Sequence, residues 1–296
     1  MDYYSSIKEL LINNEITKKA KDYSKNRSDI NARYNVGKLL YEAGKHYGEG
    51  IIKDYSKRLI FEVDKQYNER TLRRIRQLYI LFDNQKWSPL ATKLSYSHYV
   101  ELLPFKDINK IKYYIYVCEK YNLSRNELRV RIKNKEYERL GEETRNKIIN
   151  KENVQLVDTI KDPILVKNSY DTEEISERML QKLILENIED FLIELGEGYS
   201  FIRSEYKIKI GNRYNYIDML LYNIKYNCYV VIELKVTELK KEHIGQIEVY
   251  MNYIDEHVKD INQNKTIGII IVKENDKFVI RYRSDDRIVA REYELI

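Results

Sequence analysis

Residues 217–250, IDMLLYNIKYNCYVVIELKVTELKKEHIGQIEVY, decide how the second half of this chain folds. Val230, Val231 and Ile232 form an unbroken apolar run, which marks a strand buried on both faces rather than a solvated edge. Side chains alternate along a strand, so Glu233 and Lys235 point the same way at its end. Asp218 opens the preceding apolar run, IDMLLY. If the two strands are neighbours, three charged heads meet at one place. A buried charge without a partner is strongly disfavoured, so these groups call for a cation and a cleft holding water. A bare Glu-x-Lys is more often a strand-end ion pair that reaches solvent and contributes little, and only the surrounding sequence separates the two readings.

Working outward, the apolar run TIGIIIVK (266–273) reads as a central strand. A helix over 240–258 separates it from the Glu233 strand, and such a helical crossover implies that the two strands are parallel. A helix from about Glu173 to Leu195, ending at Gly196, comes first. Strands over 201–210 and 216–223 follow as a hairpin about the turn GNRYN. After the turn KENDK, a strand over 278–283 and an extended segment over 288–295 complete the expected order. The fold class is therefore an α/β domain with a central mixed sheet flanked by helices. The first half is different: apolar residues recur at three- and four-residue spacing over 29–44, 50–63, 71–84, 95–103, 106–121 and 124–134, which predicts an α-helical domain. In ERTLRRIRQL, Leu72, Ile75, Leu78 and Tyr79 form the apolar face, and Arg73, Arg74 and Arg76 an outer face able to hold phosphates or to stay solvated. The charge-dense stretch KEYERLGEETRNKIINKEN places the domain boundary at 150/151.

Composition narrows the functional classes. The 296 residues contain 10 Gly and 3 Pro and are 43% hydrophobic, as expected for a globular chain. The net charge of +5 conceals an asymmetry: residues 1–150 carry 31 Lys and Arg against 20 Asp and Glu, and residues 151–296 carry 21 against 27. A basic half suits a polyanion and an acidic half concentrates carboxylates; AT-rich codon usage also raises Lys, Asn, Ile and Tyr, so the arginines carry more of that inference than the lysines. No apolar run approaches the roughly 20 residues that span a bilayer, and MDYYSSIKEL lacks the parts of a signal peptide, so a cytoplasmic protein is expected. Cys118 and Cys228 lie in separate apolar segments and read as buried free thiols.

Phosphodiester hydrolysis needs an activated water and compensation of charge on the transition state. Mg2+, with Mn2+ able to substitute, binds through one or two carboxylates plus water and phosphate oxygens. Asp218 and Glu233 supply those carboxylates, and the main-chain carbonyl of Leu234 offers a further hard oxygen. Lys235 would orient the attacking water and offset phosphate charge. Gln246 and Tyr250 lie one turn apart on the helix that covers this strand, where Gln246 could bond the lysine or the phosphate and Tyr250 could pack over the site.

Asp218, fourteen intervening residues and then Glu233-Leu234-Lys235 resemble the signature of the PD-(D/E)XK nuclease superfamily, and Gln246 with Tyr250 resembles the QxxxY element of its RecB-like members. FLIELGEGYSFIRSEYKI, YIDMLLYN, CYVVIELK, GQIEVYMNYID and TIGIIIVK are similar in order to the YhcG-like bacterial family, as are NVGKLLYEAGKHYGEGIIKDYSKRL and LSYSHYVELL in the first half. The resemblance implies a helical amino-terminal domain followed by a restriction-endonuclease-like domain with magnesium-dependent cleavage of DNA. Ile217 stands where the superfamily's name has proline. The first core helix of the superfamily often contributes an acid; here Gln181 occupies that place, with Glu177 one turn earlier as a substitute metal ligand and Glu205 on the next strand as a weaker candidate, whereas His243, near Gln246, reads as a solvated residue of the first helical turn and is assigned no ligand role.

The leading expectation is thus a magnesium-dependent DNA endonuclease whose basic half, through Arg73, Arg74 and Arg76, grips DNA. Cutting both strands needs two sites, so a homodimer or higher homo-oligomer is expected, and RNA remains open as a substrate. The alternative, motivated by Gln181, is a nucleic-acid-binding or assembly protein with a nuclease-like fold and little or no turnover. Prokaryotic or phage genome maintenance and defence are the contexts the resemblance implies.

Overall fold

The computed structural model describes residues 2–19, 25–84, 93–170, 175–276, 279–280 and 285–296. The chain divides into two units, Met1–Tyr137 and Glu138–Ile296. Compared with the expected boundary at 150/151, the second unit begins earlier. Arg139 accounts for part of this: its guanidinium is ion-paired with Glu194 and donates to the Pro163 carbonyl at 2.7 Å, tying the charge-dense stretch to the body of the second unit.

The first unit is helical, as its periodicity predicts. Its elements are α1 (Tyr3–Lys19), α2 (Lys25–Tyr47), α3 (Ile51–Glu62), α4 (Glu69–Asn84), α5 (Tyr96–Leu102), α6 (Ile108–Tyr121) and α7 (Arg125–Lys133). Helices α1 to α4 enclose Ile7, Leu11, Val36, Leu40, Ile52, Leu59, Leu72 and Ile75. The α4 residues picked out by spacing, Leu72, Ile75, Leu78 and Tyr79, are all buried. At the start of α6, Asp107 accepts from the Asn109 and Lys110 amides, and Ser124 accepts from the Glu127 amide before α7; both acceptors satisfy helix donors that have no partner within the helix.

The second unit starts with α8 (Glu142–Ile149), a 3-10 turn (Leu156–Thr159) and a short strand, β1 (Ile164–Val166). The single helix expected over 173–195 is two, α9 (Glu177–Glu186) and α10 (Ile188–Leu195). Asn187, at φ −123° and ψ 40°, breaks the run while its side chain donates back to the Leu183 carbonyl. Then come β2 (Tyr199–Ile210), β3 (Arg213–Asn223), β4 (Cys228–Leu234), α11 (Lys241–His257), β5 (Asn264–Val272) and β6 (Ile288–Leu295). One six-stranded sheet results, in the order β1-β6-β5-β4-β3-β2. β2, β3 and β4 pair antiparallel, whereas β4, β5, β6 and β1 run parallel in sequence along the sheet. The helical crossover between β4 and β5 thus produces the parallel neighbours read from the sequence. β3 begins at Arg213 rather than 216, because Ile210 pairs with Arg213 across the two-residue loop Gly211-Asn212. Gly211 has φ +57°, a conformation such tight hairpin loops favour. Of the strand expected over 278–283, only Val279 and Ile280 fall among the described residues, and they are helical: the Asp276 carboxylate accepts from the Val279 amide and its carbonyl from the Ile280 amide, so Asp276 starts a turn there.

Both sheet faces are buried, and alternation along the strands sorts the cores. Val230, Ile232, Ile269 and Ile271 pack with Leu180, Leu183 and Phe191 of α9 and α10. Val231, Ile270 and Val272 pack with Ile247, Met251 and Ile254 of α11. At Gly268 on β5 a Cβ would lie 2.6 Å from Met251 Sδ and 2.9 Å from Ile247 Cδ1, so these two α11 side chains rest on the strand backbone. β3 does not keep strict alternation. Met219 and Leu221 join the first cluster and Ile217 the second, so the strand changes face about Asp218. The pairs Ser204 with Met219 and Tyr206 with Ile217 bracket Glu205 and Asp218, and Glu205 has φ +47°. For a residue other than glycine that left-handed geometry is strained, and such strain concentrates at functional sites. Cys118 and Cys228 are buried free thiols, raised by burial to about 12 and about 11.

Candidate active site

Asp218, Glu233, Lys235, Gln246 and Tyr250 gather where β3, β4 and α11 meet. Asp218 Oδ2 accepts a 2.7 Å hydrogen bond from the Leu234 amide, which links β3 to the end of β4. Glu233 is 1% exposed. Its Oε2 lies 3.5 Å from Lys235 Nζ, and its Oε1 is buried with no hydrogen-bond partner among the described residues. Lys235 reaches the opposite way to Glu177 Oε2 at 3.7 Å, so its ammonium is clamped between two carboxylates. On α11 the Gln246 amide donates to Tyr250 Oη at 3.0 Å, which realises the one-turn spacing as a contact.

The electrostatics tie these groups into one site. Burial pushes the Glu233 carboxyl up to about 8, and the neighbouring Asp218 adds to the rise against the pull of Lys235. Asp218 is raised too, first by burial and further by Glu177 and Glu205, with the Leu234 amide and Lys235 opposing. Burial lifts the Tyr250 phenol, and the charges of Glu233 and Asp218 lift it further. His243 is held below its usual range by burial and then by Lys235, while its ring bonds the Lys240 amide at 3.1 Å, as a residue of the first helical turn does.

The remaining candidates fall into place around this pair. Gln181, where the resemblance leads one to look for an acid, donates to the main-chain carbonyl of Asp218 at 2.9 Å and so holds the backbone that presents the carboxylate. Glu177 is half-exposed and turned to Lys235. Glu205 is exposed, directly across the ribbon from Asp218. The spacing of residues pointed to Asp218, Glu233 and Lys235; neither the face change at Asp218 nor the hydrogen bond from Gln181 left a mark in the sequence pattern. In the helical unit, Arg73 pairs with Glu69 at 2.8 Å and Arg76 with Glu49 at 2.6 Å, while Arg74 acts electrostatically on Tyr96.

The donor set suits a hard divalent cation. Among the described residues no three Asp, Glu, His or Cys side chains form a complete metal cage, and magnesium needs none, since it completes its shell with water and phosphate oxygens. The decisive observation is the orphaned Glu233 Oε1 beside Asp218: a buried and a half-buried carboxylate that repel one another, with one oxygen facing no donor among the described residues. A cation would hold Asp218 and Glu233 together, and the Leu234 carbonyl is the neighbouring main-chain oxygen.

Comparison with known proteins agrees with this geometry. Residues 157–296 match the YhcG PDDEXK nuclease domain, and residues 10–139 match the DUF1016 N-terminal domain. The chain belongs to the YhcG-like family. Over 293 residues it is 22% identical to "Putative nuclease YhcG" of Escherichia coli (strain K12), covering 86% of this chain and 78% of that one. The six-stranded mixed sheet with its helices is the restriction-endonuclease-like fold of these YhcG-like chains. Among solved structures, a repair endonuclease from Pyrococcus abyssi is 21% identical, with 43% of this chain and 49% of that chain covered at a TM-score of 0.29. A structure of an EndoMS-dsDNA2 complex is 22% identical, with 44% and 48% covered at a TM-score of 0.30. The chain spans about half the length of these solved structures. Among the described residues no helix is long and apolar enough to cross a membrane.

Proposed function

We propose that this chain is a divalent-cation-dependent endonuclease that hydrolyses phosphodiester bonds of DNA, with Mg2+ as its ion, Mn2+ as a substitute, and Asp218, Glu233 and the Leu234 carbonyl as its protein ligands. The observation that carries the reading is the unsatisfied Glu233 Oε1, buried beside Asp218. When bound, the cation would polarise the phosphate and lower the pKa of a coordinated water. The chain's own groups do the rest. Lys235, fixed between Glu233 and Glu177, holds the attacking water by a hydrogen bond and offsets negative charge on the phosphate. Gln181 fixes the Asp218 backbone, so the carboxylate keeps its position as the site fills. Gln246 donates to the Tyr250 oxygen, which leaves the phenol O–H to donate to a phosphate oxygen. On α4, Arg73, Arg74 and Arg76 would contact phosphates; Arg73 and Arg76 must then exchange carboxylate partners for phosphate ones. A homodimer with two such sites, acting in the cytoplasm, would cut both strands.

Incubation of the full chain with Mg2+ or Mn2+ and single-stranded, duplex and branched DNA, with RNA of matching sequence alongside, tests this reading. Cleavage of DNA that disappears in Asp218→Asn and Lys235→Ala is the expected result. Binding with no cleavage under either ion, unchanged in both variants, would leave a nucleic-acid-binding protein with a nuclease-like fold.

A further inference from the structure

The β2–β3 hairpin carries side chains the catalytic site does not use. Between residues 203 and 216 it holds Arg203, Lys207, Lys209 and Arg213 against one acid, Glu205, although residues 151–296 as a whole are acidic. Register sorts these side chains between two faces. Tyr206 pairs with Ile217 and Ile208 with Asn215, and Ile208 and Ile217 are buried in the core beneath α11. Lys207 pairs with Tyr216 and Lys209 with Tyr214, and these four occupy the other face. All four are exposed, the two rings at 58% for Tyr214 and 53% for Tyr216. Lys207 Nζ lies over the Tyr214 ring at 3.9 Å. Two large rings stand side by side in water with cations around them, and a contiguous exposed patch rimmed by polar groups, unlike a lone surface ring, marks an interaction site.

Position supplies the second argument. Tyr214 and Tyr216 precede Asp218 on the same strand by four and two residues, so their Cα atoms lie on the order of 13 and 7 Å along β3 from that of Asp218, on the face away from α11, and a nucleic-acid strand leaving Tyr216 meets the carboxylate where β3 changes face at Asp218. Successive same-face rings about 7 Å apart can each take one base, and lysines opposite them meet the backbone that joins those bases. Stacking needs an open base face, which an unpaired strand offers and a closed duplex does not. Lys207 already covers Tyr214, so a base arriving there moves a cation toward the adjoining phosphate.

Resting on the nuclease reading above, we infer that the exposed face of the β2–β3 hairpin, Lys207, Lys209, Tyr214 and Tyr216, binds an unpaired stretch of nucleic acid and leads it to Asp218. The substrate class is therefore DNA with single-stranded character, such as an overhang, flap or frayed end, in preference to a blunt duplex.

The test compares the full wild-type chain with Lys207→Gln/Lys209→Gln, Tyr214→Ala/Tyr216→Ala and the ring-preserving Tyr214→Phe/Tyr216→Phe, with thermal melts verifying that each pair of changes leaves the fold intact. Fluorescence anisotropy uses a labelled 30-nucleotide single strand and a blunt duplex of the same sequence, and cleavage of a flapped duplex gives KM and kcat. The lysine and alanine pairs should each weaken single-strand binding on the order of tenfold or more and raise KM with kcat unchanged. The lysine pair should lower the salt slope by about 1.4, the alanine pair should leave it unaltered, and the phenylalanine pair should bind like wild type. Unchanged single-strand affinity in both the lysine and alanine pairs overturns the inference. So does a change in sedimentation from dimer to monomer at unaltered affinity, which would make the hairpin a contact between copies of this chain. Wild-type protein that binds through the hairpin yet cleaves nothing removes the nuclease reading and supports the binding surface; cleavage with unchanged KM in both pairs does the reverse.

Discussion

In the helical unit several prominent charges have an answer: Arg33 meets Asp29, which also takes Asn14 and Lys18, Arg73 meets Glu69, and Arg76 meets Glu49. At the junction of β3, β4 and α11 the opposite holds, with a buried carboxylate beside a half-buried one and one oxygen unanswered among the described residues. Satisfied charges hold a structure in place. Charges left unsatisfied in a closed interior are kept for something that arrives, and their cost is borne by the surrounding fold.

The contrast breaks most visibly through activity. Asp218→Asn or Lys235→Ala should lower cleavage by about a thousandfold or more, measured as initial rate with saturating Mg2+, whereas Arg73→Ala should change kcat little. The next effect is on stability. Arg139 and Glu194 form a pair with side chains only 8% and 12% exposed, and Arg139→Ala should cost about 3 kcal/mol in denaturant unfolding of the second unit, because Glu194 loses its guanidinium and keeps only Lys161 at 3.6 Å and the Leu165 amide at 3.2 Å.

Glu233 gives the comparison a pH axis. Its folded pKa lies above the unfolded value, so the folded protein binds the extra proton and ion-free stability falls as pH rises from about 4.5 through about 8. Glu233→Gln should flatten that decline and raise ion-free stability at pH 8 by about 2–4 kcal/mol, while abolishing cleavage. Mg2+ should raise the wild-type Tm and leave that of the variant nearly unmoved. A smaller effect is expected of Gln181→Leu, which should cost about 1 kcal/mol and slow cleavage on the order of tenfold by releasing the Asp218 backbone. Least of all, Arg73→Ala should shift stability by less than about 1 kcal/mol, as befits a surface ion pair. An Arg73 variant that unfolds the helical unit would contradict the contrast from its other side.

Much of the nuclease unit was legible because burial on both faces leaves a strong imprint. The runs in β4 and β5 carry their own parallel pairing, and two-residue alternation put Glu233 and Lys235 together. Helical spacing likewise placed Gln246 over Tyr250. What escaped depends on partners remote in sequence or on single dihedral angles. β1 is three residues long and has meaning only as a neighbour of β6. The break at Asn187 interrupts an apolar period that continues on both sides. Arg76 reads as an open phosphate contact in its own helix, and only the fold sets Glu49, 27 positions earlier, against it. The change of face at Asp218 lies directly across the ribbon from a left-handed Glu205, and no residue pattern records that torsion.

Gly268 sets a clearance. Because the backbone of β5 carries no Cβ there, α11 lies low enough for Tyr250 to share the field of Glu233 and Asp218. An alanine at that position would act as a shim beneath Met251 and Ile247, tilting the tyrosine and its glutamine away without touching one charged group. The height of the roof over this candidate site is thus governed by a single missing methyl on the far side of the crossover.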